Sequence, residues 1–249
     1  MAATPAWPPR SAPRLFIEQK LSSHASIAIG AQQAHYLVSV MRVKIGSTVI
    51  LCDNITGEWA TRVLDTGKRK VTLEAVEQLS PREEVPDFWL CAALLKKDRF
   101  DLVLEKATEL GVSRIQPVIT RRCVADKLNM DRARMIITEA AEQCARTALP
   151  EVAEPVKVSE LLRNWPEDRA LFFADERGGE PAAARFAKHL PPAALLTGPE
   201  GGFDEAEREA IRARMESIPV TLGPRILRGE TAAISGIAVW MAQMGDWSK

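Results

Sequence analysis

Hydrophobic and polar positions divide the chain into two patterns that meet near residue 86. Before this point, short apolar runs such as Ser26–Ile29 and Thr48–Cys52 are separated by turn residues, which is typical of β-strands. After it, apolar runs alternate with stretches of helical periodicity, which is typical of strands followed by helices. The pattern predicts a β-rich N-terminal domain followed by an α/β domain.

The N-terminal pattern predicts a small β-barrel over residues 14–80, after a proline-rich flexible tail at 1–13 and before a polar linker at 81–86. One helix, over residues 31–42, interrupts the strands. Its apolar face consists of Ala34, Leu37, Val38 and Met41. The remaining strand candidates are Arg14–Glu18, Glu58–Leu64 and Lys70–Val76, the last two joined by a hairpin at Asp65–Arg69.

The C-terminal pattern, over residues 87–249, predicts a mostly parallel sheet with helices on both faces. Its first strand, Phe88–Leu95, is a continuous apolar run, as expected for a strand buried on both sides. The further strands predicted are 113–119, 170–174, 193–197 and 218–222, and the helices are 98–110, 131–147, 181–189, 204–215 and 231–244. Ligands of such sheets bind beyond the carboxyl ends of the strands.

Composition narrows the class of protein. With 249 residues, 46% hydrophobic and 27% charged, the chain resembles soluble globular proteins. No apolar run approaches the ~20 residues that span a membrane, and the N-terminus lacks a signal-peptide pattern. We therefore expect a cytoplasmic protein that does not bind membranes. The cysteines (52, 91, 123 and 144) and three histidines show no metal-ligand spacing, which favours reduced core-type thiols and no metal.

Two glycine-containing loops follow strands near the C-terminus. The first, Gly198–Gly202, is neither a P-loop nor a dinucleotide-binding fingerprint, and by itself it indicates only a tight turn. The second, Pro224–Thr231, places Ile226 and Leu227 between two arginines. Glycine lets backbone approach a ligand closely, so two such loops at the ends of neighbouring strands predict a cleft for a flat, polar-edged cofactor.

The second loop has two interpretations. Its arginines could form surface ion pairs while the two aliphatic residues enter the core. Alternatively, Ile226 and Leu227 could enclose a flat base while Arg228 and Glu230 face the reacting groups. Thr231 is a candidate N-cap of the last helix, and Gly236 within that helix indicates a close backbone contact. Asp204 and Glu207 resemble a capping box at the start of the helix 204–215.

These segments resemble a known family. Leu196–Phe203 and Leu222–Ala232 resemble the signature of the small-subunit (16S) ribosomal RNA uridine-N3 methyltransferases of the RsmE type, which belong to the SPOUT class. The resemblance covers nearly the whole chain beyond its first dozen residues. It extends to Lys96–Arg99, Glu105–Gly111, Glu142–Arg146 and the N-terminal stretch around His35 and Arg42.

The resemblance implies a PUA-like N-terminal barrel, a C-terminal domain with a deep trefoil knot, and a homodimer formed through the knotted region. It implies S-adenosyl-L-methionine as cofactor and a uridine of 16S ribosomal RNA, on the small ribosomal subunit, as substrate. Arg228 carries over as the substrate-side arginine, and Gly229 departs from the family, where a longer side chain is common. The cofactor contacts that carry over are Thr197, Gly198, Gly202, Leu222, Gly223, Ile226 and Leu227.

The chemistry implied is methylation of uracil N3, which must lose a proton. Arg228 is expected to stabilise the resulting anion, and Glu230, or else Glu142, to accept the proton. A structural hydrogen-bonding role for either carboxylate is the alternative. The whole chain has no net charge, but residues 1–78 hold nine Lys/Arg against six Asp/Glu. We therefore expect the N-terminal domain to contact RNA phosphates, through Arg14, Arg42, Lys68, Arg69 and Lys70.

Two other functions remain open from the sequence. One is a SPOUT ribose 2′-O-methyltransferase acting on transfer or ribosomal RNA. The other is a noncatalytic RNA-binding protein of ribosome assembly. The atom that is methylated distinguishes the first, and failure to bind S-adenosylmethionine would indicate the second.

Overall fold

The computed structural model describes residues 8–9, 11–67 and 69–248. Most of the predicted N-terminal tail and Lys68 lie outside these residues. The chain forms two compact units. The first consists of residues 1–84 together with Ala141–Ala148, and the second of Val85–Ala140 and Leu149–Lys249.

The first unit is built on a five-stranded sheet in the order β1-β3-β4-β5-β2. Only β1 and β3 run parallel; the other neighbours are antiparallel. Alternate strand residues are buried together with Leu37, and they form one hydrophobic core. The strands are β1 (Arg14–Phe16), β2 (Ser26–Ile29), β3 (Thr48–Cys52), β4 (Gly57–Thr66) and β5 (Val71–Pro81), the last of which reaches into the predicted linker.

The predicted helix over residues 31–42 is shorter than expected. The α-helix α1 spans Ala31–His35, and a π-helical turn follows at Tyr36–Val40. In that turn the Met41 N–H donates to the Tyr36 carbonyl, one residue further back than in an α-helix. The wider turn rotates Met41 off the buried face, so that Leu37 is fully buried while Met41 is exposed.

The segment Ala141–Ala148 belongs to the first unit because Glu83 holds its backbone. The Glu83 carboxylate accepts hydrogen bonds from the N–H groups of Thr147 (2.7 Å) and Ala148 (3.0 Å), and the Glu83 N–H donates to the Thr147 hydroxyl at 2.8 Å. The segment therefore interrupts the predicted C-terminal stretch 87–249. Its Cys144 is exposed, so the expectation of four core thiols is wrong at this position, while Cys52 and Cys91 are buried.

The second unit contains a fully parallel sheet in the order β11-β13-β10-β12-β6-β7-β8, with β9 also paired to β7. The parallel α/β architecture is thus as predicted. Its strands are β6 (Phe88–Ala93), β7 (Arg114–Ile119), β8 (Glu151–Val152), β9 (Val156–Lys157), β10 (Ala170–Ala174), β11 (Glu180–Pro181), β12 (Ala193–Thr197) and β13 (Ser217–Thr221).

Helices cover both faces of this sheet. Alternate residues of β12 enter opposite cores, Leu195 on the side of α2, α5 and α7 and Leu196 on the side of α4 and α6. The helices are α2 (Lys97–Glu109), α3 (Met130–Cys144), α4 (Val158–Arg163), α5 (Ala182–Phe186), α6 (Glu205–Arg212) and α7 (Gly229–Met244). The sequence pattern did not predict β8, β9, α4 or β11, because all four are short.

Three local signals at the C-terminal helices had different outcomes. The Asp204–Glu207 capping box of α6 is present, and a Cβ on Gly236 would collide with Leu195, which confirms the close contact. The predicted N-cap at Thr231 is wrong. Helix α7 begins two residues earlier, with Arg228 in the N-cap position and no side-chain cap.

Candidate functional site

A cleft opens at the carboxyl ends of β10, β12 and β13. Strand β10 lies between the other two, so the two glycine loops follow strands that are not neighbours, contrary to the prediction. This order adds a third strand end to the cleft. The lining residues are Ala174, Asp175, Glu176, Gly198, Pro199, Glu200, Val220, Thr221, Leu222, Gly223, Pro224, Arg225, Ile226, Leu227, Gly229 and Ala232.

Five of the seven predicted cofactor residues line this cleft: Gly198, Leu222, Gly223, Ile226 and Leu227. Ile226 is 92% exposed, so it is not part of the core as one interpretation of the loop required. Gly223 has a φ of +116°, which glycine adopts without strain. The second loop therefore presents main chain and two aliphatic side chains to the cleft.

The other two predicted cofactor residues, Thr197 and Gly202, shape the first loop rather than line the cleft. Thr197 is the buried last residue of β12. Gly202 has a φ of +64°, and its N–H donates to the Pro199 carbonyl at 2.9 Å. A Cβ at this position would lie 2.5 Å from Glu176 Oε1, so glycine permits the loop to close against that carboxylate.

Asp175 and Glu176 are residues of the cleft that the sequence analysis missed. Asp175 is buried; it accepts hydrogen bonds from Arg212 at 3.0 and 2.6 Å and forms an ion pair with Arg208. Glu176 accepts from Arg208 Nη2 at 2.8 Å and still leaves 44% of its side chain exposed. Burial lowers the pKa of Arg208 below its ordinary value. The sequence did show two acidic residues directly after a predicted strand. They could not be assigned to the cleft, however, without knowing that β10 lies between β12 and β13.

Phe203 and Arg122 pack against the first glycine loop. The ring of Phe203 is buried against Gly198, where a Cβ would lie 2.9 Å from it, and it packs edge-on to Phe173 with ring centroids 5.2 Å apart. Arg122 Nη1 donates to the Gly201 carbonyl at 2.9 Å. These contacts hold the loop backbone in place without occupying its cleft-facing side.

The two loops meet at Gly229. A Cβ on this residue would lie 2.8 Å from Leu95 Cδ2 and 3.0 Å from the Gly198 carbonyl oxygen. The first turn of α7 can therefore approach the first loop only because residue 229 has no side chain. Residue 229 is the position at which this chain has glycine and the family that it resembles commonly has a longer side chain.

Arg228 and Glu230 flank this contact. Arg228 is exposed, and its guanidinium has no hydrogen-bond or ion-pair partner within the described part of the chain. Glu230 is 9% exposed, and its buried Oε2 likewise has no partner there. Its Oε1 lies 3.9 Å from Arg99 Nε, and Arg99 Nη1 in turn donates to Glu200 at 3.3 Å. The site thus offers an unpaired cation and a carboxylate oxygen that needs a donor.

The predicted RNA-binding residues lie in the first unit. Arg14 is ion-paired with Glu58, so its charge is already neutralised. Arg42 is exposed and has a φ of +55°, in the left-handed region that favours glycine. Arg69 and Lys70 are exposed between β4 and β5, while Lys68 lies outside the described residues. Glu142, the second candidate proton acceptor, accepts a hydrogen bond from the Phe16 N–H at 2.8 Å.

Across the residues described, no helix combines the length and the apolar character needed to cross a membrane. In the same part of the chain, no three or more His, Cys, Asp or Glu side chains are grouped so that they could hold a metal ion.

Comparison with protein families finds two matches. The RNA methyltransferase domain family matches residues 82–241, and the RNA methyltransferase PUA domain family matches residues 29–76. The curated relatives include ribosomal RNA small subunit methyltransferase E of Synechocystis, 32% identical over 90% of this chain and 76% of that protein. The protein of that name from Rickettsia conorii is 29% identical over 90% of this chain and 93% of that protein.

Solved structures show the same similarity. Ribosomal RNA small subunit methyltransferase E of Neisseria gonorrhoeae, bound to S-adenosyl methionine, superposes with a TM-score of 0.86. It is 28% identical, over 95% of this chain and 99% of that one. A methyltransferase of Legionella pneumophila in complex with the same cofactor has a TM-score of 0.84 and 29% identity, over 94% and 99% of the two chains.

Proposed function

The chain belongs to the RNA methyltransferase domain family, and its curated relatives include ribosomal RNA small subunit methyltransferases E. From this premise we propose that it methylates N3 of a uridine in 16S ribosomal RNA with S-adenosyl-L-methionine. The observation that carries the proposal is the cleft at the carboxyl ends of β10, β12 and β13, beside which lie Arg228, unpaired among the described residues, and the buried carboxylate of Glu230.

The residues of the cleft fit this cofactor. It is a cation with ribose hydroxyls and an amino group, and the cleft contains the partly exposed carboxylate of Glu176 as an acceptor for such donors. Gly198 and Gly223 leave main-chain groups open, and Ile226 and Leu227 supply apolar surface for a flat base. When bound, the cofactor supplies an electrophilic methyl group on sulfur. We assign the cofactor contacts to Glu176, Gly198, Leu222, Gly223, Ile226 and Leu227. Thr197 and Gly202 shape the first glycine loop.

The chain's own residues handle charge and the proton. Glu230 Oε2 accepts the proton from uracil N3, whose freed electron pair then forms the bond to the methyl carbon as the carbon–sulfur bond breaks. Arg228 donates hydrogen bonds to the uracil oxygens, where negative charge accumulates as the proton leaves. Arg99, between Glu200 and Glu230, orients the accepting carboxylate. Glu142 is less suited to proton transfer, because a backbone N–H already occupies one of its oxygens.

The remaining features of the proposal concern domains and assembly. We assign residues 14–80 to a PUA-like β-barrel and 87–249 to a SPOUT domain, whose C-terminal segment forms a trefoil knot through which two copies dimerise. The match of the PUA family to residues 29–76 and the superposition on related methyltransferases support this assignment.

RNA phosphates would be bound in part by the first unit, through Arg42, Arg69 and Lys70. The left-handed backbone of Arg42 supports its role, since strained conformations concentrate at functional positions. Arg14 contributes less, because Glu58 already neutralises it.

One experiment tests the function. Small subunits and naked ribosomal RNA from a strain that lacks this enzyme are incubated with it and with labelled S-adenosylmethionine, and the product is mapped by nuclease digestion and mass spectrometry. We expect one N3-methyluridine, formed faster on the assembled subunit. A methyl group on a ribose 2′-oxygen would instead identify a 2′-O-methyltransferase. No methylation together with no heat of cofactor binding would identify a noncatalytic assembly protein.

A further inference from the structure

A second cavity lies at the carboxyl ends of β6 and β7, in the second unit. It measures 240 Å³, much more than the roughly 30 Å³ occupied by one water. Leu94, Leu95, Phe100 and Leu128 supply its apolar lining. It is therefore large enough for a planar base and apolar enough to stack against one.

The rim of this cavity is cationic. Lys97, Lys127 and Arg132 stand there against one acidic residue, Asp101, which accepts two hydrogen bonds from Arg132 at 3.0 and 2.7 Å. Within the described residues, neither lysine has a hydrogen-bond or ion-pair partner, and both are exposed. An apolar floor with uncompensated ammonium groups at its edge complements a base that carries a phosphate.

The cavity adjoins the reacting groups. Leu95 lines it and also packs against Gly229, which lines the cofactor cleft. Lys97 and Phe100 stand in the first turn of α2, on either side of Arg99, which pairs with Glu200 and Glu230. A chain of RNA whose uridine reaches Glu230 would therefore bring its neighbouring nucleotide to this cavity.

The chemistry of the reaction creates a need for such a pocket. Uracil N3 carries the central hydrogen bond of a base pair, so the target uridine must be unpaired and displaced before its methylation. Displacing it removes stacking from the adjacent base, at a cost of a few kcal/mol. A pocket that receives the adjacent base recovers part of this stacking.

We propose that the cavity bounded by Leu95, Phe100, Leu128, Lys97 and Lys127 binds the nucleotide adjacent to the target uridine, with its base on the apolar floor and its phosphate at the two lysines. The inference rests on the proposed function, because it requires an RNA substrate at Glu230. It assigns to this cavity a part in choosing which uridine is methylated.

Cross-linking tests the location. A photoreactive benzoylphenylalanine replaces Ala125, which lines the cavity, and the full-length enzyme is irradiated with unmethylated small subunits and S-adenosylhomocysteine. We expect the cross-link on a nucleotide within two positions of the methylated uridine. The same group at Ala183, exposed on α5, is the matched control and should give no cross-link there. Cross-links only to distant nucleotides or to protein, or none, would overturn the proposal.

Salt dependence tests the lysines. In the Lys97→Ala/Lys127→Ala enzyme, the slope of log KM for subunits against log salt should fall by about 1 per lysine. Cofactor affinity by calorimetry should not change, and exposed Lys188→Ala should leave both quantities unchanged. An unaltered slope contradicts the phosphate contact. Methylation by the wild-type enzyme in the same reactions reports separately on the proposed function, so its failure is distinguished from failure of the pocket.

Discussion

The two cavities at the carboxyl edge of the parallel sheet differ in how their charges are compensated. The cofactor cleft contains three acidic residues, Asp175, Glu176 and Glu200, each of which pairs with an arginine outside the cleft lining. The second cavity has three basic residues and one acidic residue at its rim. Both are built on ends of parallel strands, so the difference arises from the loop side chains. The two proposed assignments thus place a cationic methyl donor and an anionic methyl acceptor at separate places on one edge of the sheet.

The uncompensated lysines of the second cavity would keep the methyl donor away from the place proposed for the RNA. A sulfonium cofactor is disfavoured at the rim of the second cavity, where Lys97 and Lys127 have no ion-pair partner among the described residues, because like charges repel at short range. Arg228 and Glu230 lie where the two regions meet, near Gly229 and Leu95. Substitutions in the cofactor cleft should therefore alter cofactor binding, and substitutions at the rim of the second cavity should alter RNA binding. Substitutions of Arg228 or Glu230, between the two, should alter the chemical step.

The largest effect is expected at the boundary. Glu230→Gln keeps the shape of the side chain but cannot accept the N3 proton, so single-turnover methylation should fall by about 10³-fold at neutral pH. The deficit should shrink as pH rises, because uracil then loses this proton to solvent. Glu209→Gln, exposed on α6, is the control. A deficit that stays constant with pH would assign Glu230 a structural role.

Arg228→Ala should have the next largest effect. Loss of the hydrogen bonds to the uracil oxygens should lower the single-turnover rate by about 10²-fold. Unlike that of the Glu230 variant, this deficit should persist at high pH, since the uracil anion still lacks its partner. Calorimetry should show unchanged cofactor affinity. An unchanged rate with bound cofactor would remove Arg228 from the mechanism.

On the cleft side, Glu176→Gln should weaken cofactor binding by about 10-fold or more, because hydrogen bonds to charged groups contribute about 1.5–3 kcal/mol. The affinity for small subunits should stay the same. Since Glu176 also pairs with Arg208, thermal unfolding should be measured alongside, and Glu205→Gln, an exposed ion-paired acid, serves as the control. Equal losses in cofactor and RNA affinity would contradict the separation of the two cavities.

The smallest expected effect is the coupling between the cavities. If they bind separate ligands, Glu176→Gln and Lys97→Ala should affect kcat/KM additively, with a coupling energy below about 0.5 kcal/mol. A double-mutant cycle measures this energy. A coupling energy of about 2 kcal/mol or more is typical of residues that interact. It would mean that Glu176 and Lys97 contact the same ligand.

Several features of the site followed from local sequence patterns. The two loops and the capping box at Asp204 depend on residues near in sequence, and the helix-interior glycine at 236 indicated a close contact, which the structure forms with Leu195. Of the seven cofactor residues implied by the family resemblance, five line the cleft. The helical segment predicted over residues 31–42 is present at 31–40, but Met41 was wrongly placed on its buried face, because a π-helical turn shifts the register without changing the pattern of residue types. Short elements such as β8 and α4 contain too few residues for a period to be recognised.

By itself, the sequence determined the class of each main element, the face that it buries and the two loops that end the last strands. Only the tertiary structure decided that β10 lies between β12 and β13, which brings Asp175 and Glu176 into the cofactor cleft, and that Leu95 separates this cleft from a basic cavity. The physical reason is that periodicity reports which side of an element avoids water, whereas the order of parallel strands depends on pairings between residues far apart in the chain.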